Sequence, residues 1–380
     1  MRERLGHRGS AWLAWVAIVA GAALAACGGS GNAGTGDGQD AGGGDVTTAD
    51  GTLGDDAALL GEVLLGDALG DVGPIDALAI DPPTSTLVVT DPAKPLTQLF
   101  KATGTIGGGA PAAVPAVFSV SDPTPGTVDP STGLYTTSNK AAGTVTVTAA
   151  YGGKTATATL TVKLSYAVQG SGTTSPSPSL FDPGSTTVGT DPTKTPSFIY
   201  PSDQTMFPRN VYKILFQWRT AGMSAFQVRF TGPTLDVSLY TDGKQADCVA
   251  AGTGAGCWEA DPTTWGWLAD SAAGSSLSVI VSGADPAKPG TVYRSKPLTI
   301  SFSKAAVPGA IYYWSTTAQG VRKATVSDAK PMDFFTPAQT GKCVACHTLS
   351  RNGKRLGADV GGETLWVAEV SSAFPPPVLI

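Results

Sequence analysis

The chain has 380 residues, with 48 Gly and 28 Pro, 14% charged side chains, and 25 basic against 30 acidic residues for a net charge of −5. Such a balance of turn formers over charges favours short strands and loops over long helices, and the acidic surplus without a basic run disfavours nucleic acid as a partner. The two His are His7, near the start of the chain, and His347; if the first residues are removed as a signal segment, any His-dependent hydrolase or multi-His zinc site has to be built on His347 alone.

In chain order, Arg2, Arg4 and Arg8 precede an apolar run from Ala11 to Ala23, which ends at Leu24-Ala25-Ala26-Cys27. Thirteen apolar residues fall short of the roughly 18 to 20 that span the hydrocarbon core, and the layout is that of a secretory signal. Leu-Ala-Ala-Cys resembles the lipobox of bacterial lipoproteins. The resemblance implies that residues 1–26 are removed and that Cys27 is lipidated. It also implies that the protein is held on the cell envelope, at the outer membrane or cell surface, by more than one acyl chain. Without residues 1–26 the chain keeps 22 basic and 29 acidic residues, a net charge of −7. No basic patch is then left for anionic lipid.

Residues 27–74 are Gly, Asp and Ala with almost no aromatic side chain. That composition cannot offset the entropy of ordering and reads as a tether, with one short helix expected near Ala57–Leu65. As a flexible coil it reaches roughly 35 to 40 Å.

Residues 75–164 switch to short alternating runs between turn residues, the pattern of an antiparallel sandwich. Strands are expected at Ser85–Thr90, Thr97–Ala102, Ala116–Val120, Gly143–Ala149 and Thr155–Val162, the last two with period-two alternation. Three stretches carry a resemblance: Phe118-Ser119-Val120-Ser121-Asp122-Pro123, Val128-Asp129-Pro130-Ser131-Thr132-Gly133-Leu134-Tyr135-Thr136 and Ala142-Gly143-Thr144-Val145-Thr146-Val147-Thr148-Ala149. This order resembles the group 2 bacterial immunoglobulin-like domain, with Phe118 where members commonly carry Trp.

Residues 165–196 are rich in Ser, Thr, Pro and Gly and read as an interdomain linker. A second immunoglobulin-like or fibronectin-like sandwich is expected over 197–326, with strands at Val211–Arg219, Phe226–Thr231, Leu235–Tyr240, Leu277–Gly283 and Thr291–Ser303. A closing hairpin is expected from Ile311–Ser315 and Val321–Thr325. The fold class is therefore all-β, two sandwiches in tandem. Cys248 and Cys257 flank a short loop, and in an oxidising compartment such a pair bridges. Trp265 and Trp267 share a face if their stretch is extended. They are then either core or, if exposed, a platform for sugar rings.

Catalytic signatures are absent: the sequence has no G-x-S-x-G, phosphate loop or H-E-x-x-H, and a non-enzymatic protein is expected. The strongest chemical pattern is Cys343-Val344-Ala345-Cys346-His347 in the C-terminal segment, 327–380. C-x-x-C-H is the attachment pattern of c-type haem, with Cys343 and Cys346 as thioether donors and His347 as iron ligand. A Cys343–Cys346 disulfide and a zinc site are the alternatives. The candidate sixth ligands are Met332, near Phe334 and Phe335, or Met206 or Met223, or else the iron is five-coordinate; for Met332 and the two Phe, ordinary packing is the alternative. Together with Ile311-Tyr312-Tyr313-Trp314-Ser315 and Thr348-Leu349-Ser350-Arg351-Asn352-Gly353-Lys354-Arg355-Leu356, the motif resembles exported lipoproteins of myxobacterial type that continue into a TolB-like propeller. Here 33 residues follow His347, enough for a hairpin at Arg355–Val370 and a Pro-rich tail.

Two functions remain open at this stage. One is an envelope lipoprotein with haem c and a redox partner protein, serving electron transfer or haem-linked sensing. The other is a cell-surface adhesion or glycan-binding protein with an oxidised C-x-x-C.

Overall fold

A computed structural model describes residues 75–380 except 212–213, 247, 249, 327–330, 371–377 and 380. The signal segment, Cys27, the tether and its expected helix lie outside the described residues. The chain divides between Pro308 and Gly309 into two compact units, and both are built of β-strands.

The first sandwich contains β1 (Ala77–Asp81), β2 (Thr84–Val89), β3 (Thr97–Leu99), β4 (Lys101–Thr105), β5 (Ala112–Ala113), β6 (Val117–Val120), β7 (Gly126–Val128), β8 (Leu134–Thr137), β9 (Gly143–Tyr151) and β10 (Lys154–Gln169). The alternation in β9 and β10 does what the sequence predicts: Val145, Val147, Ala149, Leu160 and Val162 are buried, while the Thr residues between them face outward. Each fully buried Val or Leu stabilises by about 1.5 to 3 kcal/mol relative to exposure. The single strand expected over Thr97–Ala102 is instead two. β3 pairs with β8 and β4 with β1, and the chain changes sheets at Phe100, which is 1% exposed. The tight return between β7 and β8 needs Gly133: its φ is +72°, and a Cβ there would lie 2.3 Å from the Phe100 carbonyl oxygen.

The second sandwich contains β11 (Thr187–Val188), β12 (Ser197–Tyr200), β13 (Thr205–Phe207), β14 (Leu215–Arg219), β15 (Ala225–Thr231), β16 (Leu235–Thr241), β17 (Ala255–Glu259), β18 (Ser276–Ala284), β19 (Thr291–Arg294) and β20 (Leu298–Phe302). Large aromatics fill its core. Phe216 meets Phe230 edge to face with centroids 5.4 Å apart, Trp258 lies 5.4 Å from Phe216, and Trp265 lies 5.2 Å from Phe302. The expected run Thr291–Ser303 is interrupted at Ser295-Lys296-Pro297, because Pro297 has no N–H for the ladder.

One helix, α1 (Pro262–Ser271), replaces the extended stretch considered for Trp265 and Trp267. The start signal was present in the sequence: Asp261 accepts hydrogen bonds from the Thr263 and Thr264 amides, and Pro262 occupies the first turn. Helical spacing then buries Trp265, Leu268 and Ala269 on one face and sends Trp267 elsewhere, against Tyr166.

The expected linker 165–196 does not begin as a linker. β10 runs on to Gln169, and its last six residues pair in parallel with Leu235–Tyr240 of β16, while its earlier residues pair with β9 and β2. One strand therefore belongs to both sandwiches, and a single buried cluster includes residues of both.

The second unit carries β21 (Ala310–Ser315), β22 (Gly320–Thr325), β23 (Met332–Phe335), the short helix α2 (Pro337–Thr340), β24 (Val344–Leu349), β25 (Arg355–Val360), β26 (Thr364–Glu369) and β27 (Val378–Leu379). The hairpin expected to close the second sandwich is real, but β21 pairs with β22 and β22 with β23, so it forms a three-stranded sheet in this unit instead. The hairpin β25–β26 forms where the sequence places it.

Candidate functional site

The cysteine loop is as expected: Cys248 and Cys257 form a disulfide with Cα atoms 5.9 Å apart. It ties the loop before β17 to that strand.

The C-x-x-C-H segment is positioned by β24. Val344 donates its amide to the Gln319 carbonyl and accepts from Trp314 Nε1 at 2.7 Å, while the Cys343 carbonyl accepts from the Gly361 amide. Between the two cysteines, Val344 and Ala345 are buried. The β24–β25 register runs from Ala345 opposite Asp359 to Thr348 opposite Gly357, so Cys346 and His347 together face one residue. This is a β-bulge, and Cys346 adopts φ +42° there with an exposed, free thiol. Haem attachment needs both thiols on one helical turn beside an apolar pocket. In this structure the segment is extended, its central residues are spent on the core of the unit, and Cys346 is turned outward at the bulge. Phe334 and Phe335 pack into the same core with Val321, Leu356 and Val360, and Met332 is 54% exposed. As folded, these residues do not fit a porphyrin. The oxidised alternative also differs from the structure, since Cys346 is not bridged to Cys343. Among the described residues, no three His, Cys, Asp or Glu side chains come together as a metal site.

The sugar-platform alternative fails on burial, because Trp265 is 2% exposed and Trp267 is packed against the core.

A site that the sequence did not single out lies on the outer face of the second sandwich. The alternation that buries Val228, Val237 and Leu239 puts Gln227 and Arg229 of β15 and Asp236 and Ser238 of β16 on the other face. Register aligns one row across five strands: Gln169, Tyr240, Gln227, Ser282 and Arg294. The segment after β10 crosses part of this face as a strap. Asp242, 5% exposed, holds its start by accepting from the Thr173 amide at 3.0 Å and the Thr174 amide at 2.8 Å. Burial pushes the Asp242 carboxyl up, but the hydrogen bonds from Thr173, Lys244 and Thr174 outweigh it and hold the group below its ordinary range. Further along, Phe181 is buried with Ala225, Tyr240, Ala284 and Val292.

Strap and sheet flank an open cleft of about 590 Å³. Gln227 Nε2 reaches Ser238 Oγ at 3.2 Å and the Tyr240 hydroxyl at 3.3 Å, and Arg229 forms a two-pronged pair with Asp236. Arg294 lines the cleft, exposed, and its guanidinium has no ion-pair or hydrogen-bond partner among the described residues. The polar outer positions were legible as outward-facing. The strap was not, because its Ser/Thr/Pro composition matches that of a free linker.

No model of a known protein family matches the sequence, and no curated protein matches it. Several solved structures align over part of the chain. Titin domains Z1Z2 in complex with telethonin share 13% identity over 62% of this chain and 100% of theirs, with a TM-score of 0.19. A 1.5-MDa bacterial ice-binding adhesin shares 15% over 80% of this chain and 95% of its own, with a TM-score of 0.19. Mouse cadherin-23 EC22–24 shares 11% over 60% and 65%, with a TM-score of 0.20. At these identities and TM-scores the likeness adds nothing to the β-sandwich architecture of the chain itself.

Proposed function

We propose that this protein is a non-enzymatic envelope lipoprotein, anchored through Cys27, that displays a stiff pair of β-sandwiches as a binding module at the cell surface. The observation that carries this reading is the shared strand β10. Parallel pairing with β2 on one side and with β16 further along joins the two sandwiches without a hinge, so a preformed cleft is presented in a fixed orientation. Such preorganisation lowers the ordering cost of binding. Anchoring rests on the acyl chains, because a body of net charge −7 is repelled by anionic headgroups. None of the described helices is long and apolar enough to cross a membrane.

The test is fractionation with surface proteolysis. Wild-type protein is expected in the membrane fraction after carbonate washing and open to protease added to intact cells. Cys27→Ser is expected in the soluble fraction. An exported Cys27→Ser protein that remains membrane-bound overturns the anchor, and full protease protection of wild type in intact cells overturns surface display.

A further inference from the structure

The geometry points to the cleft between the strap 170–186 and the outer face of β10, β15, β16 and β19 as a binding site for a carboxylated, hydroxyl-rich sugar unit of the uronic acid kind. This inference rests on the display reading and names the ligand class of its binding module.

The first argument is construction. A segment of low apolar content has no reason of its own to cross a sheet face, yet this one is pinned at Asp242, at Pro176 and at Phe181. Gly172 permits the first of these: a Cβ there would lie 2.2 Å from Asp242 Oδ1. Pinned in this way, the strap does not collapse onto the sheet, and the gap of about 590 Å³ lies within the roughly 300 to 1,000 Å³ typical of small-molecule sites.

The second argument is the chemistry of the lining. Asp236 neutralises Arg229 through both carboxylate oxygens, which leaves Arg294 as the guanidinium free to take an anion. A guanidinium fork matches a carboxylate in two-point geometry. Along the same register row, Gln227 spends its amide N–H groups on Ser238 and Tyr240, so its carbonyl oxygen is open to accept from a ligand hydroxyl. Asp182 at the strap edge uses Oδ1 for the Gly184 amide, and its second oxygen is a further acceptor. One cation beside several hydroxyl acceptors and donors suits a hydroxy acid. Phe181 and Tyr240 are buried and offer no open aromatic face, so a neutral sugar would lack the stacking that usually holds it.

The test uses the mature chain with its N-terminal Cys replaced by Ser, probed with tetragalacturonate by calorimetry. Cellotetraose serves as the neutral control and a short poly-glutamate as the charge control. Saturable binding of the uronate is expected, at least tenfold tighter than of either control. Arg294→Gln should weaken it at least tenfold, and Gln227→Ala severalfold, with unchanged far-ultraviolet circular dichroism. Gly172→Val, which displaces the strap, should abolish binding while Arg294 remains. Absence of uronate binding, equal binding of poly-glutamate, or full affinity in Arg294→Gln overturns the inference. These outcomes are independent of the fractionation that tests anchoring and display.

Discussion

Tyr166 of β10 and Trp267 of α1 meet edge to face with ring centroids 4.7 Å apart and an interplanar angle of 64°. The Tyr166 hydroxyl also donates to the Asn139 carbonyl of the first sandwich at 2.9 Å. One side chain thus ties the helix of the second sandwich to a turn of the first. A second tie runs from the Ala142 amide to Ser271 Oγ at the helix end. Tyr166→Phe is expected to cost about 0.5 to 1.5 kcal/mol by leaving the Asn139 carbonyl unpaired. A double-mutant cycle between Tyr166→Leu and Trp267→Ala should report a coupling of about 0.5 to 1.5 kcal/mol. Urea unfolding followed by two probes, one per sandwich, should show coincident transitions. Separate transitions in wild type would refute the joint cooperative unit.

Asp129 predicts a pH effect. Its carboxylate accepts from the Thr132 amide, from the Ser131 hydroxyl and from the Ser131 amide in the β7–β8 turn, which lowers its pKa to about 2. Because the folded value lies below the ordinary one near 3.8, the stabilisation is complete above about pH 4. It is lost as pH falls through about 2. An NMR titration should place the Asp129 midpoint near 2, and Asp129→Ala should flatten this part of the stability profile. A midpoint near 4 would show that the turn does not hold the carboxylate.

Reduction of Cys248–Cys257 opens a loop of sequence separation 9. The expected loss is about 2 to 3 kcal/mol, seen as a lower unfolding midpoint in dithiothreitol with little change in far-ultraviolet circular dichroism. A Cys248→Ala/Cys257→Ala protein should show the same loss and no further response to reductant.

Cys346 should be alkylated by iodoacetamide in the native protein, since its thiol is free and exposed, whereas Cys248 and Cys257 should not. Protein made in a host with c-type maturation should carry no covalent porphyrin, and His347→Ala should leave folding nearly unchanged. A haem that stays bound after denaturation would show that β24 refolds into a helical turn and would reinstate the redox reading.

Alternation made β9, β10, β15, β16 and β18 legible, because a strand with one buried face writes its orientation into every second residue. The local rule failed where a nonlocal contact decides. Phe100 and Pro297 break runs that look continuous, and pairing with β16 extends β10 through residues whose composition reads as a linker. Helix α1 was signalled by Asp261-Pro262, but the aromatic residues behind it fit a strand equally well. At the C-x-x-C-H segment the motif encodes spacing but not conformation. The neighbouring strand β25 draws Val344 and Ala345 into the core and leaves Cys346 at the bulge. The cleft was hidden because its walls come from several stretches, the end of β10 with the strap, β15 and β16, and Arg294 of β19, that only the folded sheet brings together.

A strand shared between two sandwiches imposes a common phase on them. From Leu160 to Tyr166, every even position is buried in a core, and the faces of β10 alternate without a break across the boundary. Inserting one residue near Lys163 would turn Leu164 and Tyr166 to solvent and drive their polar neighbours inward, while an insertion of two would preserve the facing but shift the second sandwich along its neighbour. Modules on a flexible connector can be lengthened, reordered or exchanged like cassettes. These two cannot: a chimaera that replaces the first sandwich folds only if the incoming last strand arrives in step with β16.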